Sequence, residues 1–169
     1  MYTKKIGIVV GLLIIVLFVV GFLVYRNESN SMPIIPQESS IQYENTQYDF
    51  TFTLPLSWEG YSLVQEQWQG RFIDQPDSTL LTGPKILIRN PLWTAETPRQ
   101  DIPILVFTLD EWNLIQAEKI AVSAAPIPPS EFGRNMKYVF ALPARYNFAF
   151  LLGFEEVENI LKTNPLVTE

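Results

Sequence analysis

Cysteine and histidine are both absent from this chain of 169 residues. Their absence removes the usual ligands of zinc, haem and copper, and with them most redox chemistry. It also removes the Ser–His and Cys–His pairs on which nucleophilic catalysis most often rests. No disulfide can form, and no cysteine is present to carry a lipoprotein anchor. An exported domain without cysteine points to a bacterial envelope rather than a disulfide-rich eukaryotic exterior. Catalytic and phosphate-binding signatures are missing too: there is no P-loop, G-x-G-x-x-G, G-x-S-x-G or S-x-x-K.

Positive charge is scarce, with 12 basic residues against 18 acidic ones and a net charge of −6. Lys4, Lys5 and Arg26 belong to the N-terminal end, so the remainder carries nine basic residues and all 18 acids, a net of −9. Such a surface does not recruit phosphate backbones, which argues against nucleic acid, and it favours solubility.

What the chain does have is one long apolar run, Ile6 to Val24, without charge, proline or strongly polar side chains. Its 19 residues, rising about 1.5 Å each as a helix, match the ~30 Å hydrocarbon core of a bilayer. Lys4 and Lys5 before the run set the N-terminus inside the cytoplasm and everything after it outside. A cleaved signal peptide is the rival reading. The run is longer than a signal h-region, and the bulky Leu23-Val-Tyr-Arg26 offers no small-x-small cleavage site. The expectation is therefore a retained single-pass signal anchor over 1–26, with Tyr25 and Arg26 at the interface and the lipid bilayer as partner of residues 6–24. Gly7 and Gly11 form a G-x-x-x-G that would allow a homodimer, though nothing else supports one.

Residues 27–46 are rich in Ser, Asn, Glu and Pro without periodicity and read as a flexible linker, spanning roughly 25 Å. Asn27-Glu28-Ser29 matches a glycosylation sequon, but so near the membrane it reads as chance. An extracytoplasmic domain is expected over 47–164, followed by a tail over 165–169. Tyr48, Phe50, Phe52 and Leu54 alternate with polar residues as in a strand, closed by Pro55. Further strands are expected at 61–68, 85–89, 102–108 and 136–142; the nearly all-apolar Ile102–Thr108 reads as central and buried on both faces. Thr108-Leu-Asp-Glu111 has the form of a capping box and predicts a helix to about Lys119. Residues 124–135 read as a proline-rich loop. Phe154, Val157, Ile160 and Leu161 mark a closing helix that ends before Pro165. The resulting expectation is an α+β fold: an N-terminal transmembrane helix, then a mostly antiparallel sheet of about five strands packed with one or two helices.

The opening Phe50-Thr-Phe-Thr-Leu-Pro-Leu-Ser-Trp58 and the closing Phe154-Glu-Glu-Val-Glu-Asn-Ile-Leu161 resemble PsbP-like and Mog1-like envelope domains. The resemblance implies an α+β fold; residues 60–135 do not share it, and no activity follows from it.

Candidate chemistry is sparse, and no catalytic, cofactor or metal residue is assigned. Asp110 and Glu111 are the best-placed carboxylate pair for a hydrolase, but helix capping explains them more simply. Asp74 and Asp77 could lend oxygens to calcium, yet they lack EF-hand spacing and read as a turn. Among the four tryptophans, Trp58 and Trp112 are expected inside, whereas Trp93, in a Pro-flanked loop, is the candidate for an accessible contact. Arg134, in the stretch after Pro126-Ile-Pro-Pro129, and Arg145, after the strand stop at Pro143, complete the candidate partner contacts. The reading is a non-catalytic, membrane-anchored envelope protein that binds a partner protein or assists a membrane complex. A sugar- or peptide-binding sensory module is the alternative, and a carboxylate-dependent hydrolase a distant third.

Overall fold

The computed structural model describes residues 40–75, 77, 79–122 and 127–168. The apolar run Ile6–Val24 and the sequon at Asn27 lie outside them. Among the described residues, no helix is long and apolar enough to cross a membrane.

The order of elements is β1 (Ser40–Asn45), β2 (Phe50–Pro55), a 3-10 turn at Leu56–Trp58, β3 (Ser62–Phe72), β4 (Leu81–Arg89) and β5 (Ile102–Thr108). Then come α1 (Leu109–Gln116), β6 (Ile120–Val122), β7 (Ser130–Arg134), β8 (Tyr138–Leu142), α2 (Phe154–Lys162) and β9 (Leu166–Thr168). Six strands form one curled antiparallel sheet in the order β6-β3-β4-β5-β8-β7, and three form a second in the order β1-β2-β9. The expected α+β fold with a single sheet of about five strands is thereby corrected. The domain is dominated by strands, in two sheets, with two short helices.

The additional strands explain the difference. β1 falls within the expected linker and pairs along its whole length with β2, from Ser40 opposite Pro55 to Asn45 opposite Phe50. Its polar residues face out while Tyr43 and Asn45 are buried. β7 lies in the expected proline-rich loop, where it pairs with β8 through a bulge between Glu131 and Gly133. β9 lies in the expected tail and pairs with β2. β6, only three residues long, extends the sheet beside Gly70–Phe72 of β3.

β5 is buried on both faces from Ile102 to Phe107. Because side chains alternate along a strand, Ile102, Ile104 and Val106 point one way and Leu105 and Phe107 the other. The first set joins Ile86, Ile88 and Phe140 of neighbouring strands in a core closed by Phe50, Phe52 and Leu54 of the small sheet, by Trp58, and by Val157, Ile160 and Leu161 of α2. The second set joins Trp68, Val139 and Ala141 under Trp112 and Ile115 of α1. Trp58 and Trp112 are thus both inside, as the sequence suggested.

Thr108 starts α1 as expected: its hydroxyl accepts from Glu111 N at 3.2 Å, and the Glu111 carboxylate accepts from Thr108 N at 2.8 Å. This reciprocal pair fixes the corner at which β5 turns into the helix that covers it. Trp68 of β3 crosses over β4 to donate its indole N–H to the Val106 carbonyl of β5 at 2.8 Å. The crossing requires glycine at position 83, since a Cβ there would stand 2.5 Å from the Trp68 ring.

Gly83→Ala should therefore lower the unfolding free energy in urea by about 1–3 kcal/mol through overpacking. An unchanged midpoint would show that the indole does not lie on the Gly83 backbone.

Candidate functional site

The end of the large sheet at which β5 begins carries two loops. Residues 90–101 join β4 to β5, and residues 143–153 join β8 to α2. Because β5 lies between β4 and β8 and runs antiparallel to both, the two loops leave the same end of the sheet. Gln100 ties them together: its backbone N donates to the Leu152 carbonyl at 2.9 Å, and its buried side-chain amide donates to the Tyr146 carbonyl at 3.2 Å. Arg99 and Leu152 form a short parallel bridge beside it. The Asn147 amide is hydrogen-bonded to Glu158, which fastens the second loop to α2.

The first loop is shaped by local bonds typical of turns. The Asn90 side chain accepts from Leu92 N at 2.9 Å, and the Asn90 carbonyl accepts from Trp93 N at 3.0 Å. Arg89 stands at its root. Its Nε and Nη2 donate to one carboxylate oxygen of Asp101 at 3.1 and 3.0 Å, while its guanidinium lies 4.0 Å from the centre of the Trp93 ring. A delocalised cation between a carboxylate and an aromatic face is well matched to both partners. Trp93 is accordingly half-buried, stacked on Arg89.

The second loop turns apolar side chains outward. Phe148 is 71% exposed, Phe150 69% and Leu152 53%, and Leu92 on the neighbouring loop is 63% exposed. Backbone turns hold the chain in this arrangement, with Phe148 N donating to the Arg145 carbonyl at 2.9 Å and Phe150 N to the Asn147 carbonyl at 3.0 Å. Arg145 and Phe150 both sit at positive φ, 55° and 47°, a region that costs a residue with a bulky side chain roughly 1–2 kcal/mol. Phe150 contacts Phe154 edge-on, ring centres 5.3 Å apart. The Tyr146 hydroxyl is pushed above its usual range by burial first and by the Glu158 carboxylate second.

Of the residues singled out in the sequence, Trp93 and Arg145 come together on this two-loop lobe. Arg145 is exposed and has no side-chain partner among the described residues. Arg134 is elsewhere, on β7, held by two hydrogen bonds to Glu131. That pairing draws the Glu131 carboxyl below its ordinary value and the guanidinium above its own. Glu111 of the proposed carboxylate pair is engaged in the helix cap, and Asp110 is exposed beside it. Asp74 lies 3.5 Å from Lys119, and no group of three or more potential metal ligands occurs among the described residues. Phe148, Phe150 and Leu152 were not singled out in the sequence, although Asn147-Phe-Ala-Phe-Leu-Leu-Gly153 places a strongly apolar run just beyond a strand stop.

A second feature is a groove of about 610 Å³ between β2 and α2, lined by Ser40, Thr53, Leu54, Glu155, Asn159 and Ile160 among others. The Ser57 hydroxyl donates to Glu156 across it at 2.8 Å.

Compared with known protein families, characterised proteins and solved structures, the chain shows no match. The resemblance to PsbP-like and Mog1-like domains therefore stands on Phe50–Trp58 and Phe154–Leu161 alone.

The two arginine sites should respond differently to substitution. Arg89→Met strands a partly buried carboxylate and should cost about 1–3 kcal/mol in denaturant unfolding; Arg134→Ala, on the exposed surface, should leave the unfolding midpoint essentially unchanged. Equal effects would contradict this assignment.

A tyrosine with a raised hydroxyl contributes stability that is complete below its ordinary value of 10.0 and is lost as pH rises through the folded value. Thermal stability should accordingly fall above about pH 10, and Tyr146→Phe should shrink that fall. An identical alkaline profile for the variant would remove Tyr146 as a contributor.

Proposed function

We propose that this protein is a non-catalytic accessory module of a bacterial envelope, held at the membrane by its apolar run and binding a membrane component with the two-loop lobe. The observation that carries the reading is the display of Phe148, Phe150, Leu152 and Leu92, large apolar side chains turned to solvent on loops that polar side chains pin in place. Several large exposed apolar side chains carried on loops fixed by hydrogen bonds are a mark of an interaction site. Attachment is supported by the 19 uncharged residues from Ile6 to Val24, and an extracytoplasmic domain by Lys4 and Lys5 ahead of them.

A second reading, a domain that binds a sugar or peptide, is favoured by the groove between β2 and α2, whose walls combine Leu54 and Ile160 with Thr53, Ser57, Glu156 and Asn159. Small-ligand sites share this mixture of apolar surface and few polar groups. A saturable rise in melting temperature with a cell-wall sugar or peptide would favour it over the accessory reading.

The accessory reading is tested by fractionation and protease access. The full chain should stay with membranes through an alkaline carbonate wash, leave them only in detergent, and be cut by protease added to the outer face. Recovery in the soluble fraction, or protection from external protease, would sink it.

A further inference from the structure

We propose that the membrane component engaged by the lobe is the lipid itself: Phe148, Phe150 and Leu152 enter the interfacial zone of the bilayer that holds the chain's apolar run. The proposal rests on the anchored reading above and names what the lobe touches.

The first argument is reach. Only 15 residues, 25–39, separate the apolar run from Ser40. Even fully extended, a chain of that length cannot exceed about 50 Å. The domain is therefore confined to a shell about its own width from the lipid surface, which raises the effective concentration of any lipid-seeking group on it.

Position is the second. The described chain begins at Ser40, which lines the same groove as Glu155 and Glu156 of α2. One residue before that pair is Phe154, whose ring Phe150 touches. Ser40 pairs with Pro55, and Ser57, two residues beyond Pro55, bonds to Glu156 in the first turn of α2; the start of the domain and the apolar loop thus both lie toward that turn.

The third is the chemistry of the loop. Two phenylalanines and a leucine point outward at alternate positions, with an exposed arginine at Arg145 that has no side-chain partner among the described residues. Aromatic rings and a guanidinium suit the headgroup region, where apolar faces bury about 5–10 Å deep while cations meet phosphate. Phe150 accepts a positive φ to stay outside the core. The rest of the domain carries excess negative charge, so apolar insertion rather than attraction to anionic lipid must supply the contact.

Because the native chain has no cysteine, single labels can be placed cleanly in the full-length protein. Ala149→Cys, at an exposed position between the two phenylalanines, would carry an environment-sensitive fluorophore; Leu13→Cys would report the apolar run separately. Both proteins would be reconstituted in phosphatidylcholine vesicles containing nitroxide-labelled lipid. The expected result is lipid quenching at both sites, strongest at Ala149 with the nitroxide near the headgroup. Adding Phe148→Ser and Phe150→Ser should reduce quenching at Ala149 by about tenfold and leave Leu13 unchanged. A water-exposed label at Ala149 beside an embedded one at Leu13 overturns the proposal while the anchored reading stands. A water-exposed label at Leu13 overturns both. Protection of Ala149 in native membranes but not in pure lipid identifies a protein partner instead, and also overturns it. The label on the otherwise unsubstituted loop decides the matter even if the double variant folds poorly.

Discussion

β5 cannot be exposed on either side, and that constraint organises the domain. Six consecutive buried residues, Ile102 to Phe107, demand a cover over each face. One cover is the three-stranded sheet with α2; the other is α1, which begins at the last residue of β5 and folds straight back. Each apolar side chain so buried contributes about 1.5–3 kcal/mol. Trp68 ties the arrangement across strands, reaching from β3 over Gly83 of β4 to the backbone of β5. The close approach holds β3 to the sheet even though β6 pairs only with Gly70–Phe72, leaving Ser62–Gln69 without a strand on their other side among the described residues. Gln65, Glu66 and Gln67, all exposed, keep that edge polar, as an unpaired edge requires if it is not to recruit other chains.

The same constraint places the lobe. A central strand flanked by antiparallel neighbours has two connections at its starting end, here 90–101 and 143–153. The polar groups of these loops turn inward: Gln100 and Asn90 are buried and bonded, Asp101 grips Arg89, and Asn147 is bonded to Glu158. With the inward positions taken by polar side chains that satisfy the backbone, the apolar ones are left outside. This inverts the usual order, in which loop backbone is solvated and large apolar groups are buried. Two residues at positive φ within six positions, Arg145 and Phe150, show that the inversion is held against local preference by its surroundings.

The sequence revealed the elements whose patterns arise from burial and missed those arising from pairing. β5, the capping box of α1 and the amphipathic α2 each carry a strong local signature, and all three stand where the residues placed them. β1 looked like linker because only Ile41, Tyr43 and Asn45 turn inward, one of them polar, while Ser40, Gln42 and Glu44 remain in water. β6 and β9 are three residues long, too short to show any period, and β7 is broken by its bulge. The partner of β6 lies about fifty residues away and that of β9 more than a hundred, so nothing local announces these two. Trp93 was legible as a loop aromatic but not as the platform for Arg89. Arg134 was open to a better reading, since Glu131 stands three residues before it. The outward aromatics escaped notice because apolar residues after a strand stop suggest burial; exposure is settled only by the Gln100 and Asn147 bonds that fix the loop.

A large apolar surface on a soluble domain aggregates, so exposed apolar side chains are tolerated only in small number. Alone, such a surface binds weakly, since association must first offset the lost freedom of the whole domain. Were the domain held near its target, as in the proposed attachment, much of that freedom would already be restricted, and a few side chains would suffice. The net negative charge of the chain after the apolar run acts against unspecific adhesion, whereas the 143–153 loop carries no acidic residue. Under the proposed attachment, a tip too weak to bind alone would make a reversible contact that only the attachment renders effective.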